Sequence, residues 1–161
     1  MNANVTERGY RPCVGVMLVN ADGKVFVGRR IDNKEGDWWQ MPQGGVDPGE
    51  DLTAAVMREL HEETGVTSDK AKIIKQLDEP LRYDLPEELI GKLWGGQYRG
   101  QEQDWFLLRF SGSDDDIDLD AHDPAEFCEY RWVDPDDLPD LIVPFKKRVY
   151  RTVVEGFRDL I

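Results

Sequence analysis

A helical segment rich in glutamate constrains this chain more than any other feature. Residues 51–64 contain neither Gly nor Pro, and Leu52, Val56 and Leu60 recur every four residues before Gly65. This spacing predicts an amphipathic helix of about three to four turns. A glycine directly after the last periodic residue is typical of a helix C-terminus. We therefore expect a helix that presents one apolar stripe to a core and carries its glutamates beside that stripe.

The helix belongs to a longer pattern in which several positions each need a particular residue type. Because each type fills about six in a hundred positions, chance placement in a chain of this length is on the order of one in a million. The pattern consists of Gly44, Glu50, Arg58-Glu59-Leu60, Glu62-Glu63 and Gly65-Val66. Such a pattern indicates a specific function.

Three glutamates of the helix are spaced so that their side chains share one face. Glu59, Glu62 and Glu63 lie at positions i, i+3 and i+4. Like charges at this spacing cost roughly 0.2–0.5 kcal/mol per pair, and anions in the last turn also oppose the helix dipole. A solvated acidic face is the simpler explanation for any two of them. The full set instead predicts a site for a hard divalent cation, Mg²⁺ or Mn²⁺.

The segments around this helix predict strands and one further helix. An Asn-Ala-Asp-Gly turn between two apolar runs predicts a hairpin. The predicted strands are residues 12–19, 24–30, 71–77, 104–110 and 126–133, and the predicted final helix is residues 143–161, with Val149, Val153 and Phe157 on one stripe. Residues 86–90 suggest a short helix, residues 94–100 a loop, and residues 111–123 a charged surface loop. Without a regular alternation of strand and helix, an α/β fold with a mixed sheet and helices on its faces is expected.

Length, charge and cysteine content bound the class of protein. The 161 residues, 40% of them apolar, are expected to form one domain over residues 1–161 with a flexible N-terminus at residues 1–8. No apolar run approaches the length of a membrane span or of a secretory signal. A net charge of −13 argues against coating of long nucleic acid by charge alone. Cys13 and Cys128 lack a metal-binding spacing, and we expect two buried thiols in a reduced compartment.

Residues 44–66 match the Nudix box at each of its defining positions, and by this resemblance the chain is identified as a member of the Nudix hydrolase family. The resemblance implies a Nudix fold, a mixed β-sheet sandwiched between helices in an α/β/α arrangement. It also implies that Glu59, Glu62 and Glu63 bind divalent metal. Arg58 is then expected to orient a glutamate by ion pairing, and Glu50 to be structural or to act behind the metal ligands.

Hydrolysis of a phosphoanhydride is the chemistry that such a site supports. Metal ions offset the charge of the phosphate oxygens and lower the pKa of a bound water, whose proton a nearby carboxylate accepts. Glu59, Glu62 or a later glutamate can be that base. The expected catalytic residues are Glu59, Glu62 and Arg58, with Mg²⁺ as the cofactor or with Mn²⁺ or another divalent cation in its place.

Segments outside the box resemble the RNA pyrophosphohydrolase branch of the family. They are residues 9–12, 39–45, 101–108, 124–127 and 144–150. The resemblance implies removal of pyrophosphate from triphosphorylated RNA 5′ ends in mRNA decay. Residues 83–86 and 94–103 also resemble hydrolases of diadenosine tetraphosphate, so asymmetric hydrolysis of a dinucleoside polyphosphate is the alternative. A third hypothesis is a non-catalytic nucleotide-binding module. Substitution of the box glutamates would have favoured it, but all of these glutamates are present.

The resemblance further implies residues that hold metal and substrate outside the helix. Glu126 is expected as an additional metal ligand, with an ordinary strand carboxylate as the alternative. Arg11 and Lys146 are expected near substrate phosphates, although a basic residue taken alone is more often plain surface. Phe145 is expected either to stack on a base or to pack in the core. The other expected substrate contacts are Arg29, Gln43, Gly44 and Gly45. The two glycines allow close backbone approach, and a tight loop with positive φ is compatible with that role.

The expected partners follow from this chemistry. They are an RNA 5′ end or a dinucleoside polyphosphate, and neither a membrane nor DNA. The expected location is the cytoplasm. Protein partners are left open by the sequence.

Overall fold

The strand Gly9–Val19 (β1) lies at the centre of the sheet in a computed structural model that describes residues 9–31, 36–90 and 97–161. Residues 13–19 of this strand are all buried. A strand with neighbours on both edges and cover on both faces is typically a near-continuous apolar run, and this one is. The flexible terminus expected at residues 1–8 lies outside the described residues.

Six further strands and three α-helices accompany β1 in the described parts of the chain. The strands are Val25–Arg30 (β2), Gln43–Gly45 (β3), Ala71–Gln76 (β4), Leu81–Asp84 (β5), Tyr98–Phe110 (β6) and Phe127–Val133 (β7). The helices are Leu52–Thr64 (α1), Leu138–Leu141 (α2) and Lys147–Phe157 (α3). Short 3₁₀ turns lie at Ser68–Lys70, Glu87–Leu89, Asp114–Asp116, Pro135–Asp137, Pro144–Lys146 and Arg158–Leu160.

The strands form one mixed sheet of seven strands, as far as the chain is described. Its order is β4-β6-β1-β2-β7, with β3 beside β1 and β5 beside β6. The pairing of β1 with β6 is parallel, and the other pairs are antiparallel. The predicted hairpin is confirmed, since Val19 of β1 pairs with Val25 of β2 across a turn in which Gly23 has a φ of 76°.

Side chains along β1 alternate between two apolar cores. Val14, Val16 and Leu18 belong to the core beneath α1, whereas Met17 and Val19 belong to the core beneath α3, because successive side chains of a strand point to opposite faces. Helix α1 adds Ala55, Val56 and Leu60 to the first core, and α3 adds Val149, Val153 and Phe157 to the second. The predicted α/β/α arrangement is therefore confirmed.

Several local predictions are corrected. Tyr98–Gly100, expected in a loop, belong to β6, and residues 94–96 lie outside the described residues. The last helix begins at Lys147, because Pro144 opens a separate 3₁₀ turn before it. Cys13 is buried as expected, but Cys128 is exposed, because it lies on β7 at the edge of the sheet.

Candidate active site

Helix α1 is held at both ends by local contacts. The carboxylate of Asp51, the N-cap residue, accepts a hydrogen bond from the backbone N–H of Ala54 at 3.4 Å. Gly65 ends the helix with a φ of 77°, in the left-handed region that favours glycine. Leu60 is fully buried in the core. The caps and this core contact together fix where the glutamates of the last two turns lie.

Arg58 is the cation that organises these glutamates. Its Nε and Nη2 donate to the two oxygens of Glu50, both at 2.8 Å, in the bidentate geometry that suits arginine and carboxylate. Its Nη1 donates to Glu59 at 2.8 Å and to Glu62 at 3.4 Å. Its Nη2 also donates to the backbone carbonyl of Gly45 at 2.9 Å. One guanidinium thus joins β3, the turn before the helix and two helix glutamates.

Glu50 is kept ionised by this arrangement. The hydrogen bonds from Arg58, followed by one from the backbone N–H of Asp47, lower the pKa of Glu50 to about 2. The Asp47 hydrogen bond measures 3.0 Å. The pKa of Arg58 is raised in turn, chiefly by Glu50. Both shifts favour the charged forms of Glu50 and Arg58, and the two groups therefore form an ion pair near neutral pH.

Glu63 is the most buried acidic side chain of the helix, with 3% of its surface exposed. Neither of its oxygens has a hydrogen-bond partner of good geometry among the described residues. Burial raises the pKa of Glu63 well above its ordinary value, and the negative charges of Glu59 and Glu126 raise it further. The backbone N–H of Gln43 and the charge of Arg30 act in the opposite direction. A buried carboxylate of this kind favours a positive partner.

Glu59 lies between this buried group and the arginine. Burial raises the pKa of Glu59, Arg58 opposes the rise, and the neighbouring charges of Glu62 and Glu126 add to it. Glu126 therefore acts electrostatically on both Glu59 and Glu63. Glu126, in the bend just before β7, therefore lies close enough to both helix glutamates to raise their pKa.

Gly44 and Gly45 let β3 approach the charged groups closely. A Cβ on Gly44 would lie 2.0 Å from the carboxyl carbon of Glu59, and one on Gly45 would lie 2.4 Å from Nη2 of Arg11. Both residues belong to strand β3. Positive φ values among the described glycines occur at Gly23, Gly36, Gly49 and Gly65. The tight loop with positive φ that was also expected at residues 44 and 45 is therefore not present, whereas the close backbone approach is.

An open cleft of about 490 Å³ adjoins this group. Arg11, Arg58, Glu59 and Tyr98 line it together with Gly45 and the turn at residues 46–50. Its volume falls within the range of small-molecule sites. Two arginines and three carboxylates, those of Asp47, Glu50 and Glu59, share the cleft, so cationic and anionic groups lie side by side in it.

Lys146 and Glu126 belong to a second charged group at this site. Lys146 is 8% exposed, and burial together with the charge of Arg30 lowers the pKa of Lys146 to about 8. Cys13 and Glu126 act on Lys146 in the opposite direction. Nη1 of Arg30 lies 3.9 Å from Oε1 of Glu126. Two cations therefore neighbour the glutamate expected to complete the metal site.

Two of the expected substrate contacts, Arg29 and Phe145, already have partners within the protein. Arg29 donates to Glu129 at 3.0 Å and lies 4.0 Å from Asp37, and these contacts keep it on the surface of β2 and β7. Phe145 packs against the core beneath α3, with its ring centroid 5.7 Å from that of Tyr83. The core contact named as the alternative for Phe145 is thus present.

Sequence reasoning missed a buried amide network behind Gln43. The indole N–H of Trp105 donates to Oε1 of Gln103 at 3.0 Å. Nε2 of Gln103 donates to Gln43 at 3.0 Å and to Gln101 at 2.8 Å. Because an indole only donates, it orients the whole chain of amides. The polar residues at alternate positions of a strand, Gln101 and Gln103 before Trp105, are the signal that indicates such a network.

The acidic donors fit a hard divalent cation in kind. Glu59, Glu62, Glu63 and Glu126 offer carboxylate oxygens, which Mg²⁺ and Mn²⁺ prefer, and a cation would compensate the buried oxygens of Glu63. In the described part of the chain, however, no group of three or more His, Cys, Asp or Glu side chains is arranged to hold a metal ion. Arg58 instead draws Glu59 and Glu62 towards itself. The expected convergence of three helix glutamates on one point is therefore not seen.

Comparison with known proteins agrees with the sequence pattern. The family model for the NUDIX domain matches residues 9–153. An RNA pyrophosphohydrolase of Novosphingobium aromaticivorans is 70% identical over 152 residues, which cover 94% of this chain and 94% of the relative. A second RNA pyrophosphohydrolase, of Erythrobacter litoralis, is 64% identical over 94% of this chain and 93% of its own length.

Solved structures share the fold at low sequence identity. The E. coli dihydroneopterin triphosphate pyrophosphohydrolase matches with a TM-score of 0.72 at 20% identity, over 94% of this chain and 99% of that chain. A C. elegans Ap4A hydrolase matches with a TM-score of 0.66 at 19% identity, over 93% of this chain and 99% of that chain. At these identities the likeness concerns the fold alone. Within the described residues, no helix is both long and apolar enough to cross a membrane.

Proposed function

Because this chain belongs to the Nudix family, we propose that it is a metal-dependent pyrophosphohydrolase that converts 5′-triphosphate RNA ends to 5′-monophosphate ends and releases pyrophosphate. The observation that carries this proposal is the 70% identity with a relative named RNA pyrophosphohydrolase over 94% of both chains. A role in mRNA decay, in the cytoplasm, follows from the same substrate. The enzyme is a hydrolase of phosphoanhydride bonds.

We expect Glu59, Glu62, Glu63 and Glu126 to hold Mg²⁺, or Mn²⁺ in its place. When bound, the ion offsets phosphate charge and lowers the pKa of a coordinated water. The carboxylates of this chain would hold the ion in a fixed position, and one of them would accept the proton of that water. Burial that raises the pKa of Glu59 makes that carboxylate a stronger base than an exposed one. Glu59 and Glu62 are our candidates for the base.

Arg58 acts as a positioning residue in this proposal. Its hydrogen bonds to Glu59 and Glu62 leave both carboxylates on the side of the helix that faces β3. Its bidentate contact with Glu50 anchors the guanidinium at the other end. A lysine cannot make these contacts at once, because its ammonium is a single point charge without a planar fork of donors.

The substrate phosphates are expected to lie among the basic groups around these carboxylates. Arg11 lines the cleft beside Gly45, and buried Lys146 lies near Glu126. A desolvated cation interacts more strongly with phosphate than an exposed one. Gln43, fixed by Gln103, is expected to offer its amide N–H to substrate, and Phe145 is expected at the border of the site.

The test is Mg²⁺-dependent turnover of the purified protein on a short 5′-triphosphate RNA and on diadenosine tetraphosphate, with product identification. Pyrophosphate and 5′-monophosphate RNA as the preferred products would support the proposal. A strong preference for diadenosine tetraphosphate would replace it with the dinucleoside polyphosphate alternative. Glu62→Gln should abolish turnover on either substrate, whereas Glu88→Gln, the same change at an exposed position, should not. Undiminished turnover of Glu62→Gln at saturating Mg²⁺ would contradict the metal assignment.

A further inference from the structure

A tyrosine ring on β1 gathers two arginines near the cleft. The guanidinium carbon of Arg82 lies 4.7 Å from the centroid of the Tyr10 ring, and that of Arg99 lies 5.2 Å from it. The carboxylate of Asp84 accepts hydrogen bonds from the Tyr10 hydroxyl at 2.7 Å and from Nη2 of Arg99 at 2.8 Å. Arg148 joins this group by donating to the backbone carbonyl of Arg82 at 3.3 Å. We refer to Tyr10, Arg82, Arg99 and Arg148 as the arginine surface.

The arginine surface continues the cleft. Tyr10 lies two residues before Pro12, which lines the cleft, and residues two apart on a strand face the same side. Arg99 directly follows Tyr98, another residue of the cleft wall. Through Tyr10, over whose ring Arg99 lies, the arginine surface borders the end of the cleft that Pro12 and Tyr98 line.

The local charge of this surface is opposite to that of the whole chain. Three arginines face two carboxylates, Asp84 and Glu102, although the chain as a whole carries 33 acidic and 20 basic side chains. Arg82 uses only Nε for its ion pair with Glu102, and its side chain is 60% exposed. In the described parts of the chain, neither Nη of Arg82 makes a hydrogen bond, and Arg148 has no acidic partner. The Nη atoms of Arg82 and the remaining donors of Arg148 are therefore available to an external anion.

We propose that the arginine surface binds the sugar-phosphate backbone of single-stranded RNA beyond its 5′-terminal nucleotides. The proposal rests on the proposed function, because it needs an RNA whose 5′ end occupies the cleft. Guanidinium groups bind phosphate through two parallel hydrogen bonds. An acidic protein repels a polyanion at long range, so a chain of this charge needs local cations along the path of the RNA. The Tyr10 ring and Asp84 hold two of these arginines in place before RNA binds.

The test compares substrates of different length. In this proposal a triphosphorylated dinucleotide is expected to end within the cleft, and a triphosphorylated RNA of about ten nucleotides to reach the surface as well. For Arg82→Ala combined with Arg148→Ala, we expect KM for the longer RNA to rise about five- to tenfold and kcat to stay within about twofold. The rise should be confined to the longer RNA. The slope of log kcat/KM against log salt concentration should also become shallower by about 0.7 for each phosphate that the double variant no longer binds.

Lys72→Ala is the matched control, because it removes one exposed positive charge on β4, opposite Arg109 at the far end of β6. It should leave KM for both RNAs and the salt slope unchanged. Unchanged KM and slope in the double variant would overturn the proposal, and so would an equal loss on both RNAs.

If no RNA were hydrolysed by the unaltered protein, the proposed function would fail on its own. The binding of a labelled 5′-hydroxyl RNA, measured by fluorescence anisotropy, then decides whether the arginine surface binds RNA. Equal affinity of the unaltered protein and the double variant would overturn the proposal for this surface.

Discussion

The carboxylate of Glu59 packs directly against the Cα of Gly44. A Cβ at this position would lie 2.0 Å from the carboxyl carbon of Glu59 and 2.1 Å from Oε2, well inside any normal contact. Position 44 therefore needs a glycine, because the Glu59 carboxylate leaves no room for a side chain there. The same contact brings strand β3 and helix α1 close together. The position of the Glu59 carboxylate, which we propose as a candidate for the base, can therefore be tested by changing Gly44.

Replacing Gly44 by Ala is expected to displace the Glu59 carboxylate and to lower kcat on the order of 100-fold, since a displacement of about 1 Å is enough for such a loss. The fold should survive, because the atoms displaced belong to the end of a flexible side chain. Gly9→Ala is the control, as an added Cβ there meets nothing within 4 Å. Steady-state kinetics and thermal unfolding of both variants test this, and normal kcat in Gly44→Ala would contradict the assigned role of Glu59.

Replacing Glu63 by Gln is expected to stabilise the metal-free protein while it removes activity. The buried carboxylate has a raised pKa, so its ionised form opposes folding at neutral pH, and a neutral amide is less costly to bury. We expect a gain on the order of 1 kcal/mol, or about 2–4 °C in Tm, measured with a chelator present. Added Mg²⁺ should raise the Tm of the unaltered protein but not that of the variant. A lower Tm of Glu63→Gln in chelator would refute this account of the site.

Glu50 is expected to contribute stability that depends on pH. Its pKa in the folded protein is about 2, against an ordinary value of 4.5, so the contribution is complete above about pH 4.5 and is lost as the pH falls towards about 2. The Tm of the unaltered protein should therefore exceed that of Glu50→Gln near neutral pH, and the difference should vanish at the acid end of this range. Glu88→Gln should show no such dependence. A constant difference across the range would mean that Arg58 does not hold Glu50 in solution.

Arg30, rather than Arg29, is expected to matter for turnover. The charge of Arg30 acts on Glu63 and Lys146, and the residue lies 3.9 Å from Glu126, whereas Arg29 pairs with Glu129 on the surface. Arg30→Ala should raise KM for triphosphate RNA or lower kcat by about tenfold, the loss expected from one charged contact of about 1.4 kcal/mol. Arg29→Ala should change neither constant by more than about twofold. The reverse order of effects would support Arg29 as the substrate contact, as the sequence predicted.

The sequence alone determined the helix and the hairpin whose signals lie within a few residues of one another. Helix α1 lies at Leu52–Thr64, as its apolar period and Gly65 predicted, and the β1–β2 hairpin follows from the Asn-Ala-Asp-Gly turn. Short-range signals suffice here, because caps and tight turns are stabilised by contacts within a few residues. The pattern at residues 44–66 also identified the family, since several charged residues at fixed spacing are hard to explain by packing alone.

The tertiary structure determined the features that depend on residues far apart in the sequence, namely the short strands, the strand register and the burial of charged groups. Strands β3 and β5 are too short to be recognised alone and exist through pairing with β1 and β6. The register shift between Arg29 and Arg30 occurs where the pairing of β2 with β7 brings Arg30 near Glu126, and no local pattern predicts it. The burial of Glu63 and the arginine surface likewise join residues far apart in sequence. Charge and spacing along the chain thus determine which groups are available, whereas long-range strand pairing and packing determine which of them meet.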